Sequence, residues 1–362
     1  MIQQTSEEAG STMHALRVHS LDGWDISLDE VAVPLPEPGE LLVRSEAVGL
    51  CGSDVHACRG DAGYEWMRPP VTLGHETVGT VIGQHPDLEQ DWVGTRIAMI
   101  AIQGCLNCEI CAAGQANYCA ERTCLGLHSD GGLAEFFTIA AQRVVAIDPD
   151  LDLGLAGLHE PVAIVLHALE ALPDSLEGAS VGVTGPGTIG LISAMECQRR
   201  GANVTIYGRP DADEIRLTYA EKLGLAVGRS QETAPADYWV EASGSEDGLN
   251  RAIRACANLA RIAVPGLFGR LPEVEMNLLV RGGMSLHGSY GYRTEHFHRA
   301  AEFIDEHQAD LARMVSSYPL ERAEEALRNT AAGQIIKAIV TPGQALGGQT
   351  ITKNNHEKAG VK

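Results

Sequence analysis

The sequence predicts an α/β fold in which a mainly β unit is followed by a doubly wound parallel sheet flanked by helices. Three observations carry this. From Met13 to about Ile147 the chain runs in short alternating or apolar stretches broken by Pro and Gly. From about Leu158 onward, strand-length and helix-length patterns alternate. A glycine-rich turn, VGVTGPGTIG, stands where the first of those later strands meets its helix. Alternation of this kind calls for right-handed crossovers and a parallel sheet.

The elements follow in order. LLVRSEAV, TVGTVIG, TRIAMIAI and AEFFTIA have the length and period of strands. HEPVAIVLHALEAL spaces its apolar residues as a helix that carries the chain out of the β unit. Then come ASVGVTG (strand), TIGLISAMECQRRG (helix), ANVTIYG (strand), DEIRLTYAEKLG (helix), ADYWVEASG (strand), GLNRAIRACANLA (helix) and RIAVPGLF (strand). A long helical stretch, HFHRAAEFIDEHQADLARMV, precedes a last strand, IIKAIVTP, expected to rejoin the first unit. The expected units are residues 13–160, 161–298 and a return segment 299–345. Residues 1–12 and 346–362 read as flexible polar tails without chemistry.

With 362 residues the chain is long enough for two domains and a cleft between them. Its formal charge is −21, from 48 acidic and 27 basic residues, and only five of the basic residues are lysines. Such a field repels nucleic acid and anionic membrane and suits a neutral small molecule. No stretch has the length of a membrane span, and Met1 to Met13 lacks the basic end and apolar run of a signal peptide. Four of the nine cysteines fall within fifteen residues, which favours metal thiolates over a disulfide framework and a reducing, cytoplasmic compartment.

Gly185, Gly187 and Gly190 form GxGxxG between a predicted strand and a predicted helix that opens with Thr188 and Ile189. The first glycine permits the tight turn, the second lets backbone N–H groups approach a pyrophosphate, and the third lets helix and strand pack closely. The next strand ends in Gly208-Arg209 where NAD-preferring sites carry an acidic residue. A small residue followed by arginine leaves room for a ribose 2′-phosphate and supplies a cation for it, so NADP is favoured over NAD. The competing reading turns Asp211 or Asp213 back to the ribose.

Cys105, Cys108, Cys111 and Cys119 supply four soft thiolates in one loop, enough to close a tetrahedron around a structural zinc. Cys51 in GLCGSDVH, His75 and Glu76 in LGHETVG, and Glu160 in HEP form a wider mixed set. Thiolate, imidazole and carboxylate from separate segments are what a zinc that keeps a position open for water or substrate requires. Cys51, His75 and Glu76 would be protein ligands, and Glu160 would approach when water or substrate exchanges.

These motifs resemble those of the zinc-dependent medium-chain dehydrogenases of the alcohol dehydrogenase superfamily, within them the polyol, threonine and glucose dehydrogenase branch. The resemblance runs from about Met13 to Pro342 through CGSDVH, LGHETVG, the four-cysteine loop, GLAEFF, HEPVAIVLHA, GPGTIG, VEASG and IIKAIVTP. It implies a GroES-like catalytic domain with a zinc lobe, a Rossmann cofactor domain, and hydride transfer between an alcohol carbon and NADP or NAD. It also implies a catalytic zinc on Cys51, His75 and Glu76 with Glu160 exchangeable, a structural zinc on the four cysteines, and a homodimer or homotetramer. Ser53 and His56 fit the family's proton path, and Asp54 a carboxylate that orients a metal ligand. A secondary alcohol of a polyol, cyclitol or sugar is the expected substrate; glucose 1-dehydrogenase and L-threonine 3-dehydrogenase are the alternatives, and a non-catalytic NADP sensor is the rival of another class. Tyr64, Trp66 and His128 are candidates for the pocket wall. The chain departs from the family's pattern at GQHPDLEQDWV, at Gly208-Arg209 and at ANLARIAVPG, which lacks the usual Gly-Gly before its strand.

Overall fold

The computed structural model describes residues 11–229 and 233–343. The tail readings of residues 1–10 and 346–362 lie outside the described residues, whereas Thr12 already opens a strand. The first part contributes β1 (Thr12–Val18), β2 (Ile26–Ala32), β3 (Glu40–Gly49), β4 (Val71–Thr72), β5 (Glu76–Gln84), β6 (Arg96–Met99), β7 (Ile102–Gln103), β8 (Thr123–Cys124), β9 (Phe136–Ala140) and β10 (Val144–Ala146). The helices here are α1 (Gly52–Arg59), α2 (Glu109–Ala112), α3 (Leu153–Ala156) and α4 (His159–Ala168). Strands β11 (Ser180–Thr184), β12 (Asn203–Tyr207), β13 (Ala226–Gly228), β14 (Ala236–Glu241), β15 (Cys256–Val264) and β16 (Ser285–Gly288) follow, with α5 (Thr188–Arg199), α6 (Glu214–Lys222), α7 (Glu246–Ala255) and α8 (Met276–Gly282). The chain closes with α9 (Thr294–Glu306), α10 (Gln308–Met314), β17 (Val315–Pro319), α11 (Ala323–Ala331) and β18 (Lys337–Thr341).

The later sheet has the strand order β13-β12-β11-β14-β15-β16, with every pair parallel. This is the doubly wound order, and its switch point, where a ligand crevice opens at the carboxyl ends, lies between β11 and β14. β11 is central and covered on both faces, which is why SVGVT is a continuous run without polar alternation. The earlier strands build a seven-stranded sheet, β10-β6-β5-β3-β18-β17, with β9 also on β3. β18, from IIKAIVTP, pairs antiparallel with β3. The α/β class predicted from the sequence is therefore the one the chain adopts.

Two elements differ from the sequence expectation. The helix in GLNRAIRACANLA stops at Ala255, because Cys256 turns to extended backbone and pairs with Ala236 as the first residue of β15. Apolar residues of CANLA fit a helix period locally, but the parallel ladder claims Cys256, and Leu259 turns to the left-handed region (φ 65°) before pairing resumes at Arg261. The long stretch after Arg293 is broken at His307, whose ring bonds the Phe303 carbonyl at 2.9 Å and stands between α9 and α10.

One apolar core links the two sheets through α4, where nine of ten residues are buried. It joins Ala47, Val78 and Ala98 of the first sheet to Val181, Val183 and Val240 of the second. Pro161 is tolerated in α4 because first-turn N–H groups have no intrahelical partner. Anchored so, the first turn of α4 presents Glu160 between the sheets.

Candidate active site

Cys51 precedes α1 as its N-cap, so its sulfur stands at the positive end of the helix. The Asp54 carboxylate in the next turn accepts the Cys51 N–H at 2.9 Å, and its other oxygen lies 3.3 Å from His75 Nδ1. Asp54 is fully buried, and it ties the thiolate segment to the imidazole segment just before β5. Ligand atoms of Cys51, His75 and Glu76 all lie within 4.8 Å of one another. The buried Asp54 Oδ1 and His75 Nδ1 have no well-formed hydrogen bond. Burial alone would lower the His75 pKa, but the Asp54 charge and Cys51 raise it well above the ordinary value. A donor set that draws positive charge this strongly, with soft and hard atoms converging, fits a zinc ion.

Glu160 lines the same cavity but stands outside that tight group. Burial, and after it the Glu76 charge, pushes its pKa up to about 8. Lys337 was not singled out in the sequence, although IIKAIVTP contains it. Its buried ammonium pairs with Glu76 Oε2 and donates to the Leu50 carbonyl at 3.1 Å. Register explains the reach. Gly49 of β3 pairs with Glu76 of β5 and with Ile339 of β18, and a Cβ at Gly49 would strike Glu76 Oε2 and crowd Lys337.

Cys51, Ser53, His56, His75, Glu76 and Glu160 share a cavity of about 230 Å³. His56 Nδ1 lies 2.7 Å from Asp61 Oδ2. Asp61 is a second residue that sequence reasoning missed; its only signal was a carboxylate five positions beyond His56. No direct hydrogen bond joins Ser53 to His56 among the described residues. Tyr64, Trp66 and His128 do not line the cavity: they continue from His56 as a stack of rings, with Trp66 and His128 at 3.9 Å on the outer surface. Cys124 does line it, and burial pushes its thiol up to about 11, so it acts as a small neutral wall.

The four-cysteine set is brought together as well, with all four sulfurs within 4.8 Å of one another. Leu106 adopts the left-handed conformation, φ 62°, which folds Cys105 and Cys108 toward one point. Cys119 Sγ accepts the N–H groups of Cys105 and Glu121, each at 3.4 Å. A third acidic group, Glu170, Glu295 and His296, has Arg293 bonded to both carboxylates and reads as an ion-pair network.

On the later sheet, Gly185 follows β11 with φ 89°, and a Cβ on Gly190 would collide with the Gly185 carbonyl. Gly187 faces open space, as close approach of a phosphate requires. Thr188 and Ile189 begin α5; the Thr188 hydroxyl donates to the Ile336 carbonyl at 3.0 Å, and Ile189 lines the metal-side cavity. A second cavity of about 380 Å³ runs from Gly185 and Gly187 to Gly208, Arg209, Arg216 and Arg251. Asp213 lies buried against Arg209, accepting its N–H at 2.9 Å and its Nε at 3.1 Å. Asp211 is exposed and lines neither cavity. Ala242 and Ser243, after β14, line both cavities, so the two meet at the switch point.

Comparison with known proteins agrees with this geometry. Residues 37–149 match the alcohol dehydrogenase GroES-like domain. An L-threonine 3-dehydrogenase of Chelativorans sp. is 31% identical over 278 residues, 72% of this chain and 79% of the relative. A sorbitol dehydrogenase of Halalkalibacterium halodurans is 27% identical over 328 residues, covering 85% and 94%. A structure described as a zinc-binding dehydrogenase of Sinorhizobium meliloti 1021, bound to NADP, superposes with a TM-score of 0.80 at 27% identity, over 92% of this chain and all of the other. With a mixed thiolate, imidazole and carboxylate cluster facing a doubly wound switch point, the chain belongs to the zinc-dependent medium-chain dehydrogenases of the alcohol dehydrogenase superfamily.

Proposed function

We propose that this dehydrogenase oxidises a secondary alcohol of a polyol, cyclitol or sugar, with NADP preferred over NAD. The observation that supports the reading is that Ala242 and Ser243 line both the cavity of the Cys51, His75 and Glu76 cluster and the cavity of the glycine turn. A zinc held by Cys51, His75 and Glu76 would supply Lewis-acid chemistry that favours the alkoxide, and a nicotinamide nucleotide in the adjoining cavity would supply the hydride acceptor.

The chain's own residues do the rest. Cys51, His75 and Glu76 would hold the metal, and Asp54 orients His75 as a carboxylate behind a metal ligand does. Lys337 compensates the Glu76 charge in a dry interior. Asp61 fixes His56 Nδ1 as a donor, which leaves Nε2 to accept a proton on its way out. Ser53, on the cavity wall, is the nearer member of that route, with a water or substrate hydroxyl bridging to His56.

Three arginines in the nucleotide cavity and an Asp213 already engaged with Arg209 support NADP. The curated relatives favour L-threonine as the second reading. Against it, among the described residues no Lys or Arg lines the metal-side cavity to pair with an α-carboxylate, while Glu160, Ser53 and Ser243 offer partners for neighbouring hydroxyls. A sensor without turnover would not need Cys51, His75, Glu76, Ser53 and His56 in one cavity. The gathering of four cysteines into one thiolate group supports a reducing, cytoplasmic compartment, and no helix among the described residues is long and apolar enough to cross a membrane.

We read the chain as a homo-oligomer joined through its cofactor sheet. β16 is an edge strand with all four residues exposed, and Met276 and Val280 of α8, the helix that precedes it, are exposed apolar residues, as is Leu271. Such an edge is ordinarily covered, and a second copy extends the sheet by the same strand.

The test is formation of reduced cofactor by zinc-loaded protein, with NADP and NAD in parallel, across polyols, cyclitols, aldoses, threonine and simple alcohols. Turnover of a polyol or sugar with NADP supports the reading. Turnover of threonine alone replaces the substrate, and no turnover despite bound zinc and nucleotide favours the sensor.

A further inference from the structure

The four-cysteine lobe reaches across the cleft to the cavity wall. Asn117 and Arg122 flank Cys119 in sequence. Asn117 is buried and its Nδ2 donates to the Tyr290 carbonyl at 2.7 Å. The Arg122 guanidinium lies 4.6 Å from the centre of the Tyr290 ring, and its Nη1 donates to the Cys119 carbonyl at 3.1 Å. The sulfur of Cys119 is itself bonded by the backbone of Cys105 and Glu121, so the thiolate cluster and both of these side chains form one connected unit.

Tyr290 belongs to the other side of the cleft, two residues beyond β16, and with Gly291 it lines the metal-side cavity. The sheet holds the start of this segment, where β16 pairs with β15 and the Ser289 N–H donates to the Val264 carbonyl at 3.1 Å. Contacts from the first part of the chain locate the residues that follow. The Tyr292 hydroxyl accepts the Ala101 N–H at 3.0 Å, and a Cβ on Gly291 would press on Ile102 and on Asn117. His167 Nδ1 adds a bond to the Gly291 carbonyl at 2.9 Å.

We propose that the four-cysteine lobe positions the substrate cavity as well as stabilising the fold: Asn117 and Arg122 hold Tyr290, so the state of the thiolate centre is felt at the reaction site. Asn117 and Arg122 are positioning residues, since neither lines the cavity. A lobe that only stabilised the domain would need no contact with the opposite wall.

The inference rests on the proposed reaction for the meaning of the cavity, so its first test is independent of turnover. Amide hydrogen exchange of residues 289–292 is measured in wild type, Asn117→Ala, Arg122→Gln, Cys105→Ser and, as a control, Cys51→Ser. Exchange there rises about ten-fold in the first three variants, while β11 and β14 keep their protection. Cys51→Ser leaves residues 289–292 as in wild type. In steady-state kinetics Arg122→Gln raises the substrate KM about five-fold with kcat nearly unchanged, and Arg122→Lys recovers part of the loss. Unchanged exchange in both Asn117→Ala and Arg122→Gln overturns the proposal, as does equal loosening in Cys51→Ser. Should Cys105→Ser not fold, the two variants that keep every thiolate decide the matter. Absence of turnover on every substrate would refute the proposed reaction and leave the exchange result standing.

Discussion

Cys51 and Lys337 illustrate how single residues divide the work at this site. On the proposed reading, Cys51 would contribute a ligand atom to the metal. Cys51→Ala is expected to lose turnover by at least about a thousand-fold while NADPH binding, followed by fluorescence, stays within a factor of two or so. Retained turnover would remove Cys51 from the metal site. Lys337 contributes charge compensation: both it and Glu76 are buried, and each would be costly alone. Lys337→Met should lower stability by about 3 kcal/mol in urea unfolding, and the double variant with Glu76→Gln should regain a good part of it. Additive losses in that cycle would mean that the pair is not coupled. The ligand candidates were legible because their residue types and flanks are distinctive. Lys337 and Asp61 were not, because a lysine in an apolar strand and an aspartate in a loop acquire meaning only from the partner that register or a turn brings to them.

At the scale of elements, the proposed reading gives cofactor choice to the turn from β11 into α5 and to the end of β12. Arg209, held by Asp213, faces the nucleotide cavity with most of its side chain exposed. Arg209→Ala should raise the KM for NADP about 30-fold and alter that for NAD by less than about three-fold. An equal change for both would make Arg209 a general phosphate contact. Within α5, the buried Glu196 accepts from Arg199 and Arg200 one turn on. Burial would raise the Glu196 pKa, yet the hydrogen bonds of Arg199 and then Arg200 outweigh it and hold it below the ordinary 4.5. A depressed carboxyl pKa adds stability that is present above 4.5 and is lost as pH falls through the lower folded value. Thermal unfolding of wild type from pH 6 to pH 3 should therefore decline more steeply than that of Glu196→Gln. Parallel curves would show that the network carries no such linkage. The Gly185, Gly187 and Gly190 turn was readable from sequence since each glycine answers a local steric demand. The end of α7 at Ala255 was not, because the ladder with β14 that claims Cys256 is a long-range contact.

For the whole molecule, two zinc ions per chain and assembly through β16 are the expectations. Elemental analysis should give about two zinc per chain for wild type and about one for Cys51→Ser. Light scattering should show a dimer or tetramer that Val280→Glu shifts toward monomer; a wild-type monomer at micromolar concentration would overturn the edge-strand reading. Sequence by itself determined the α/β class, the glycine turn, the cysteine tetrad and the dispersed Cys51, His75, Glu76 and Glu160. These rest on local spacing, on residue chemistry and on motifs that resemble a known family. Only the tertiary structure decided which of the dispersed groups converge, with Glu160 beside the tight cluster and Tyr64, Trp66 and His128 stacked away from the cavity. It also decided that Lys337 reaches Glu76 past Gly49, that Asp213 turns to Arg209, and that the cysteine lobe touches Tyr290. The contacts of Lys337 and of Tyr290 join residues far apart in the chain, and such distances are set by strand register and by packing through α4, which no short window of sequence encodes.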